Sequence, residues 1–244
     1  MTAISANGIT IEYESHGPAD SPAMILIRGL GSQMIQWPAA LMQRLAGQGF
    51  HVVTFDNRDA GLSTKFEAAG AMDIPDLMER AKAGENIKVP YLLDDMAADV
   101  IGLMDALAID TAHVSGISMG GAIAQVLAAK HGARLRSMTS IMAQSGNPGI
   151  PPGNPEAMAA LMRVGGDEST RDGAIAANLE TARVLAGPLY PTSDADRLAM
   201  VERVYERCHC PDGRTRQRAA IIKNGNRVPM LQTITIPCQV IHGT

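Results

Sequence analysis

The sequence predicts an α/β protein with a mostly parallel central sheet, helices on both faces, and a helical cap inserted late in the chain. Three observations carry that expectation. Between residues 24 and 142, short apolar runs bounded by turn residues alternate with longer stretches of helical periodicity. A connector rich in Gly, Pro and Asn, running from Ser145 to Pro155, then ends the alternation. Beyond it, residues 156–224 read as helices with no convincing strand, and strand signals resume only near Thr235.

The elements follow in order. Ile9-Thr10-Ile11-Glu12-Tyr13-Glu14 alternates apolar and polar, the pattern of a half-exposed antiparallel strand. Met24 to Ile27 is a continuous apolar run that stops at Arg28-Gly29-Leu30-Gly31, and reads as a buried strand. His51 to Phe55, Ala112 to Ile117, Ser137 to Met142 and Cys238 to Ile241 read as further strands. Between them, Leu92, Leu93, Met96, Val100, Leu103, Met104 and Leu107 recur at helical spacing, with Asp94 and Asp95 in the first turn where negative charge suits the helix dipole. A second helix, Gly120 to Lys130, starts directly after Ser118, and Ser193-Asp194-Ala195-Asp196 is a helix start inside the cap. The expected organisation is a core over residues 1–146, a cap over 147–232, and the start of the C-terminal part of the core over 233–244.

Composition narrows the function classes. A chain of 244 residues suits one large domain or a core with an inserted cap. Hydrophobic residues make up 46% and aromatics 3%, so the core is built from aliphatic side chains and Met. The net charge of −4 offers no attraction for nucleic acid or an anionic membrane. The first residues lack a basic n-region and a long apolar stretch, and no run approaches the ~20 apolar residues of a membrane span, so a cytoplasmic location is expected. Cys208, Cys210 and Cys238, an odd count, read as reduced thiols. Cys208-His209-Cys210 has no second ligand cluster at a suitable spacing, so no metal and no cofactor is expected, and the segment reads as a helix end with two unpaired thiols.

The chemistry rests on Gly116-Ile117-Ser118-Met119-Gly120, a G-x-S-x-G match that follows a buried-strand pattern and opens a helix. Glycines two before and two after the serine leave room for a sharp strand-to-helix turn that pushes Oγ out at the top of the sheet. The helix N-terminus beneath it favours developing negative charge. An ordinary Gly-rich turn with a solvated serine is the competing explanation. A nucleophilic Ser118 needs donors for an oxyanion: the N–H of Met119 is one, and the N–H of Leu30 is assigned as the second. Gly29 and Gly31, flanking Leu30, let the backbone approach substrate, and Met34 and Trp37 just after the loop are expected to help line the substrate site.

These stretches carry a family resemblance. Arg28 to Gly31, Phe55 to Ser63, Tyr91 to Asp99, Val114 to Gly121 and Val240 to Gly243 resemble, in order and spacing, the α/β-hydrolase fold superfamily, and in particular its aclacinomycin-methylesterase-like esterases. The resemblance implies a serine hydrolase of small-molecule carboxylic esters, and makes Asp56 to Ser63 a structural turn. Family members often carry His where this chain has Arg28. A structural ion pair is the expected role for Arg28, ahead of binding an acidic substrate group. The family order places the acid, then the general-base His, after the strand ending at Ile241-His242-Gly243, and the chain stops at Thr244. His16, His51, His113, His131, His209 and His242 all fall where the fold does not deliver them to Ser118. The acid and His are therefore expected beyond Thr244, the chain is expected to be a C-terminally truncated fragment, and the fragment itself is expected to be close to inactive. Lactonase, C–C hydrolase, acyltransferase and perhydrolase chemistry, or a non-catalytic ligand-binding role, stay open on the same scaffold. A serine at position 118 argues against dehalogenase chemistry, which uses a carboxylate nucleophile.

Overall fold

The computed structural model describes residues 1–151, 153–162, 170–187 and 191–243. Pro152 of the connector, parts of the expected cap and Thr244 lie outside the described residues. The described chain runs β1 (Thr2–Ala6), β2 (Ile9–His16), β3 (Ala23–Ile27), α1 (Ala39–Gly47), β4 (His51–Phe55), α2 (Ile74–Lys82), α3 (Leu93–Ala106), β5 (Ala112–Ile117), α4 (Met119–Lys130) and β6 (Leu135–Ile141). Four helices follow, α5 (Pro155–Met162), α6 (Arg171–Val184), α7 (Asp194–Arg207) and α8 (Pro211–Asn224), then the single turn α9 (Val228–Leu231) and β7 (Cys238–Ile241). The strands from β2 to β7 fall where the sequence predicts them, within two residues at each end.

The seven strands form one sheet in the order β1-β2-β4-β3-β5-β6-β7. β1, β2 and β4 pair antiparallel, and β4 to β7 pair parallel. The β1–β2 hairpin turns at Asn7-Gly8, both with positive φ (49° and 75°), the turn chemistry that matches the twist of paired strands. β2 does not keep the clean alternation of its sequence. Ile11 and Glu12 are both buried because the Glu12 N–H and C=O bond Ser63 Oγ and the Asp56 N–H in a covering turn. β3 sits between β4 and β5, so the chain leaves β3 to one side and returns on the other. In open parallel sheets, ligands bind outside the carboxyl ends of the strands at such a reversal point.

The core matches the aliphatic composition. Ile25, Ile27, Val53, Phe55 and Val114 of the sheet pack with the α3 face Leu93, Met96, Val100, Leu103 and Met104, all at or below 1% exposure. Deletion of such a side chain to Ala costs about 2–5 kcal/mol. A smaller cluster, Leu26, Met42 and Val52, fills the other face of β3 and β4, and Trp37 packs against it. At the far edge of the sheet β7 is exposed, with Val240 at 70% and Ile241 at 44%.

Two compact units emerge. The first comprises Met1–Asn147 with Cys210–Thr244, and the second Pro148–His209. The expected cap ran to residue 232, but α8 and α9 belong to the first unit. The reason is a set of buried polar anchors on α8. The Arg216 guanidinium grips the Asp59 carboxylate through Nε and Nη2, both at 2.8 Å, and the two residues are at most 1% exposed. Tyr91 Oη donates to the same carboxylate at 2.7 Å. The Asp59 carboxylate holds the phenol proton, and burial together with this charge raises the Tyr91 pKa. The second unit is helical among its described residues. Thr170 and Ser193 cap α6 and α7, and Arg171–Glu206 and Arg183–Asp194 ion pairs lie on its surface. Cys208 ends α7 and Cys210 opens α8, and neither takes part in a disulfide among the described residues.

Candidate active site

The candidate nucleophile, Ser118, occupies the one-residue turn between β5 and α4, with φ 56° and ψ −120°. A non-glycine residue is strained in that region, by about 1–3 kcal/mol. The surroundings hold it there: the Ser118 N–H donates to Ile141 O at 2.9 Å, and its C=O accepts from the Ala122 N–H at 3.1 Å. The elbow glycines are demanded by close approach. A Cβ on Gly116 would lie 2.0 Å from Gly120 O, and one on Gly120 would lie 2.2 Å from Ile27 O. The start of α4 thus lies against both β5 and the end of β3 at separations that exclude even alanine. Ser118 is half-buried, and its Oγ makes no hydrogen bond among the described residues.

The loop after β3 comes to the same place. A methyl on Gly29 would sit 3.2 Å from Ser118 Cβ and 3.6 Å from its Oγ. Gly29, Leu30, Ser118 and Met119 are thus brought together at the reversal point of the sheet. Among the described residues the N–H groups of Leu30 and Met119 donate to no acceptor, whereas those of Gly31 and Ser32 on the same loop are taken. Met119 is the first residue of α4, where a helix leaves its N–H groups unpaired by geometry.

The loop is fixed from behind by three side chains that the sequence does not assign to the site. Gln217, on α8 and fully buried, accepts from the Gly31 N–H at 2.7 Å and donates to Arg58 O at 2.7 Å. Asp56 is also fully buried. It accepts from the Met34 N–H at 2.7 Å and the Leu62 N–H at 2.9 Å, so the Asp56 to Ser63 stretch is a structural turn. Asn57 Nδ2 donates to Arg28 O at 3.0 Å. Gln217 had no sequence signal, since it lies in a stretch read as cap. Gln217→Leu keeps the volume and leaves the Gly31 N–H and Arg58 C=O unsatisfied, which should cost about 1–3 kcal/mol per group in urea unfolding. Hydrogen exchange at the Leu30 and Gly31 amides should speed up; unchanged exchange would show that the loop is held without Gln217.

Met34 is 2% exposed and sits directly on this framework. Trp37 is half-buried, and its ring carries the Arg28 guanidinium at 4.9 Å. The structural ion pair expected for Arg28 does not form. Among the described residues Arg28 meets no carboxylate, its Nε is buried without an acceptor, and burial alone pushes its pKa down to about 10. The carboxylates of the neighbouring turn are occupied elsewhere, Asp56 by backbone N–H groups and Asp59 by Arg216.

The histidines lie as follows. His51 starts β4, an interior strand and not an edge one, at the end remote from Ser118. His113 is five residues before Ser118 on extended β5, roughly 16 Å away, and bonds Ser137 Oγ at 2.8 Å. His131 closes α4 at the far end, about 18 Å along the helix, and His16 pairs with Glu14 at 3.7 Å. His209 belongs to the second unit and stacks on Tyr205 at 4.7 Å. His242 follows β7 on the same edge of the sheet as Ser118, but two strands across, exposed, with its ring against Gly243 O at 3.1 Å. No group of three or more metal-ligating side chains occurs among the described residues, and no described helix is long and apolar enough to cross a membrane.

Comparison with known proteins identifies the fold family. Residues 22–197 match the family model described as alpha/beta hydrolase fold. The chain is 31% identical over 140 residues to rhodomycin D methylesterase DauP of Streptomyces sp. (strain C5), covering 57% of this chain and 41% of the relative. It is 31% identical over 127 residues to 3-oxoadipate enol-lactonase 2 of Acinetobacter baylyi, covering 51% of this chain and 38% of the relative. Each match thus spans less than half of the relative's own length. The crystal structure of the enol-lactonase from Burkholderia xenovorans LB400 superposes over 100% of this chain and 81% of its own, with a TM-score of 0.66 at 24% identity.

Proposed function

This chain belongs to the alpha/beta hydrolase fold family, and on that premise we propose that it carries the nucleophile and oxyanion hole of a serine hydrolase acting on carboxylic esters. The observation that carries the proposal is the convergence at the reversal point of the sheet: a strained serine with an uncommitted Oγ, beside two uncommitted N–H groups on separate elements.

Ser118 Oγ attacks the ester carbonyl carbon and passes its proton to a general base. The carbonyl oxygen becomes an oxyanion, and the N–H groups of Leu30 and Met119 stabilise it. The C–O bond to the alcohol then breaks, the alcohol takes the proton from the base, and Ser118 is left acylated. Water repeats the sequence to release the acid. A lactone is a cyclic ester and follows the same steps, which agrees with the methylesterase and enol-lactonase names of the relatives. The base and its carboxylate partner are proposed to come from outside residues 1–244, in keeping with the positions of the described histidines. The helical second unit, Pro148–His209, is proposed as the cap, and α8 of the first unit as the support of the oxyanion loop.

The 244-residue chain allows a direct test. Its hydrolysis of p-nitrophenyl acetate should be slow and should rise with added imidazole, after subtraction of the imidazole rate measured with Ser118→Ala. A rate that is high without imidazole and falls in His242→Ala would place the base inside the chain. A rate equal in the chain and in Ser118→Ala would end the assignment of Ser118.

A further inference from the structure

We propose that Arg28, seated on Trp37, is a binding site for a carboxylate, and that the esters taken by this site carry a free carboxylate group. The substrate part of this inference rests on the function proposed for Ser118; the binding part does not.

Four observations carry it. The guanidinium is half-buried at the mouth of β3, and among the described residues it makes no hydrogen bond and no ion pair. Its Nε is covered with no acceptor, and so is the indole Nε1 of Trp37 beside it. Three other buried arginines of the same unit have hydrogen-bonded guanidinium groups. Arg58 holds Asp99, Arg216 holds Asp59, and Arg227 donates to Gln125 Oε1 and to Asn224 Oδ1. Finally, Arg28 is bonded to Gly29, the residue whose Cα lies against Ser118.

A charged group removed from water without a counter-charge is costly, and stacking on an indole returns only part of that cost. The low pKa of Arg28, with burial its sole cause, reflects the same lack of a partner. A planar carboxylate supplies what is missing, since the guanidinium fork matches it with two parallel N–H···O bonds. A lysine would not provide this geometry. One end of a substrate would then be held at Arg28, and its ester carbonyl presented at the adjacent Gly29–Leu30 backbone. Binding energy far from the reacting atoms would be used to orient the carbonyl on Ser118.

The chain contains a single tryptophan, so its fluorescence reports on this site. The experiment titrates the Ser118→Ala chain with monomethyl glutarate, which carries one carboxylate, and with dimethyl glutarate, its uncharged counterpart. The expected result is a saturable change in Trp37 emission with the monoester and at least about tenfold weaker binding of the diester. Arg28→Gln should weaken monoester binding by a similar factor, and Arg28→Lys by an intermediate one. Inorganic phosphate at the same ionic strength should compete poorly. Equal responses to the two esters, no saturable response to either, or full monoester binding in Arg28→Gln would each overturn the proposal. If Arg28→Gln does not fold, the two esters and Arg28→Lys still decide it. Because Ser118 is absent from this measurement, a negative result counts against Arg28 alone, and failure of imidazole-dependent turnover counts against Ser118 alone.

Discussion

With a general base supplied, Ser118→Ala is expected to lower kcat for a p-nitrophenyl ester by at least about 10⁴-fold, since loss of the serine from a complete triad costs roughly 10⁶. The same position should show the opposite effect on stability. Ser118 is held at φ 56°, a conformation open to glycine and costly for other residues. Ser118→Gly should therefore be inactive yet more stable by about 1 kcal/mol or more in urea unfolding. Such an exchange of stability for activity is the mark of a strained functional residue. An inactive Ser118→Gly that is also less stable would mean that the turn is not strained, and that Ser118 has a structural task.

The second large effect lies away from the chemistry. Arg216→Met leaves the Asp59 carboxylate and the Tyr91 hydroxyl buried around a lost charge, and should destabilise the first unit by about 3–5 kcal/mol. Asp59 also accepts the Phe66 N–H, so the Asp59-to-Phe66 turn loosens with it. Adding Asp59→Leu should recover part of the loss, because breaking one member of a buried pair is worse than removing both. Urea midpoints of the single and double variants check this. A cost under about 1 kcal/mol, typical of exposed ion pairs, would show that the pair is solvated. The connection to function is geometric: Arg216 and Gln217 are neighbours on α8, so the residue that anchors the helix stands beside the one that holds Gly31.

The parts legible in the sequence are those where local chemistry decides. Ala112–Ile117 followed by Gly116-Ile117-Ser118-Met119-Gly120 could be read as strand, elbow and helix, because each residue there answers to a backbone constraint. The α3 face was equally readable from its spacing. β1 was less so, although Asn7-Gly8 is a strong hairpin signal; Thr2–Ala6 is too polar to stand out. That α8 groups with the first unit is not legible locally, because its sequence is rich in Arg and Gln. Its burial depends on Asp59 and Arg58, more than 150 residues earlier, and no local pattern shows such long-range pairing. The unpaired state of Arg28 is not legible for a related reason: a buried arginine is ordinarily paired, and only the three-dimensional arrangement shows which carboxylates are already taken.

The most direct measurement is the site of covalent capture. The chain is treated with a fluorophosphonate in the presence of imidazole, digested, and sequenced by mass spectrometry. The proposed chemistry predicts a phosphonyl group on Ser118 Oγ, in a yield that rises with imidazole and disappears in Ser118→Ala. Capture at another residue, or equal yield in Ser118→Ala, would contradict it.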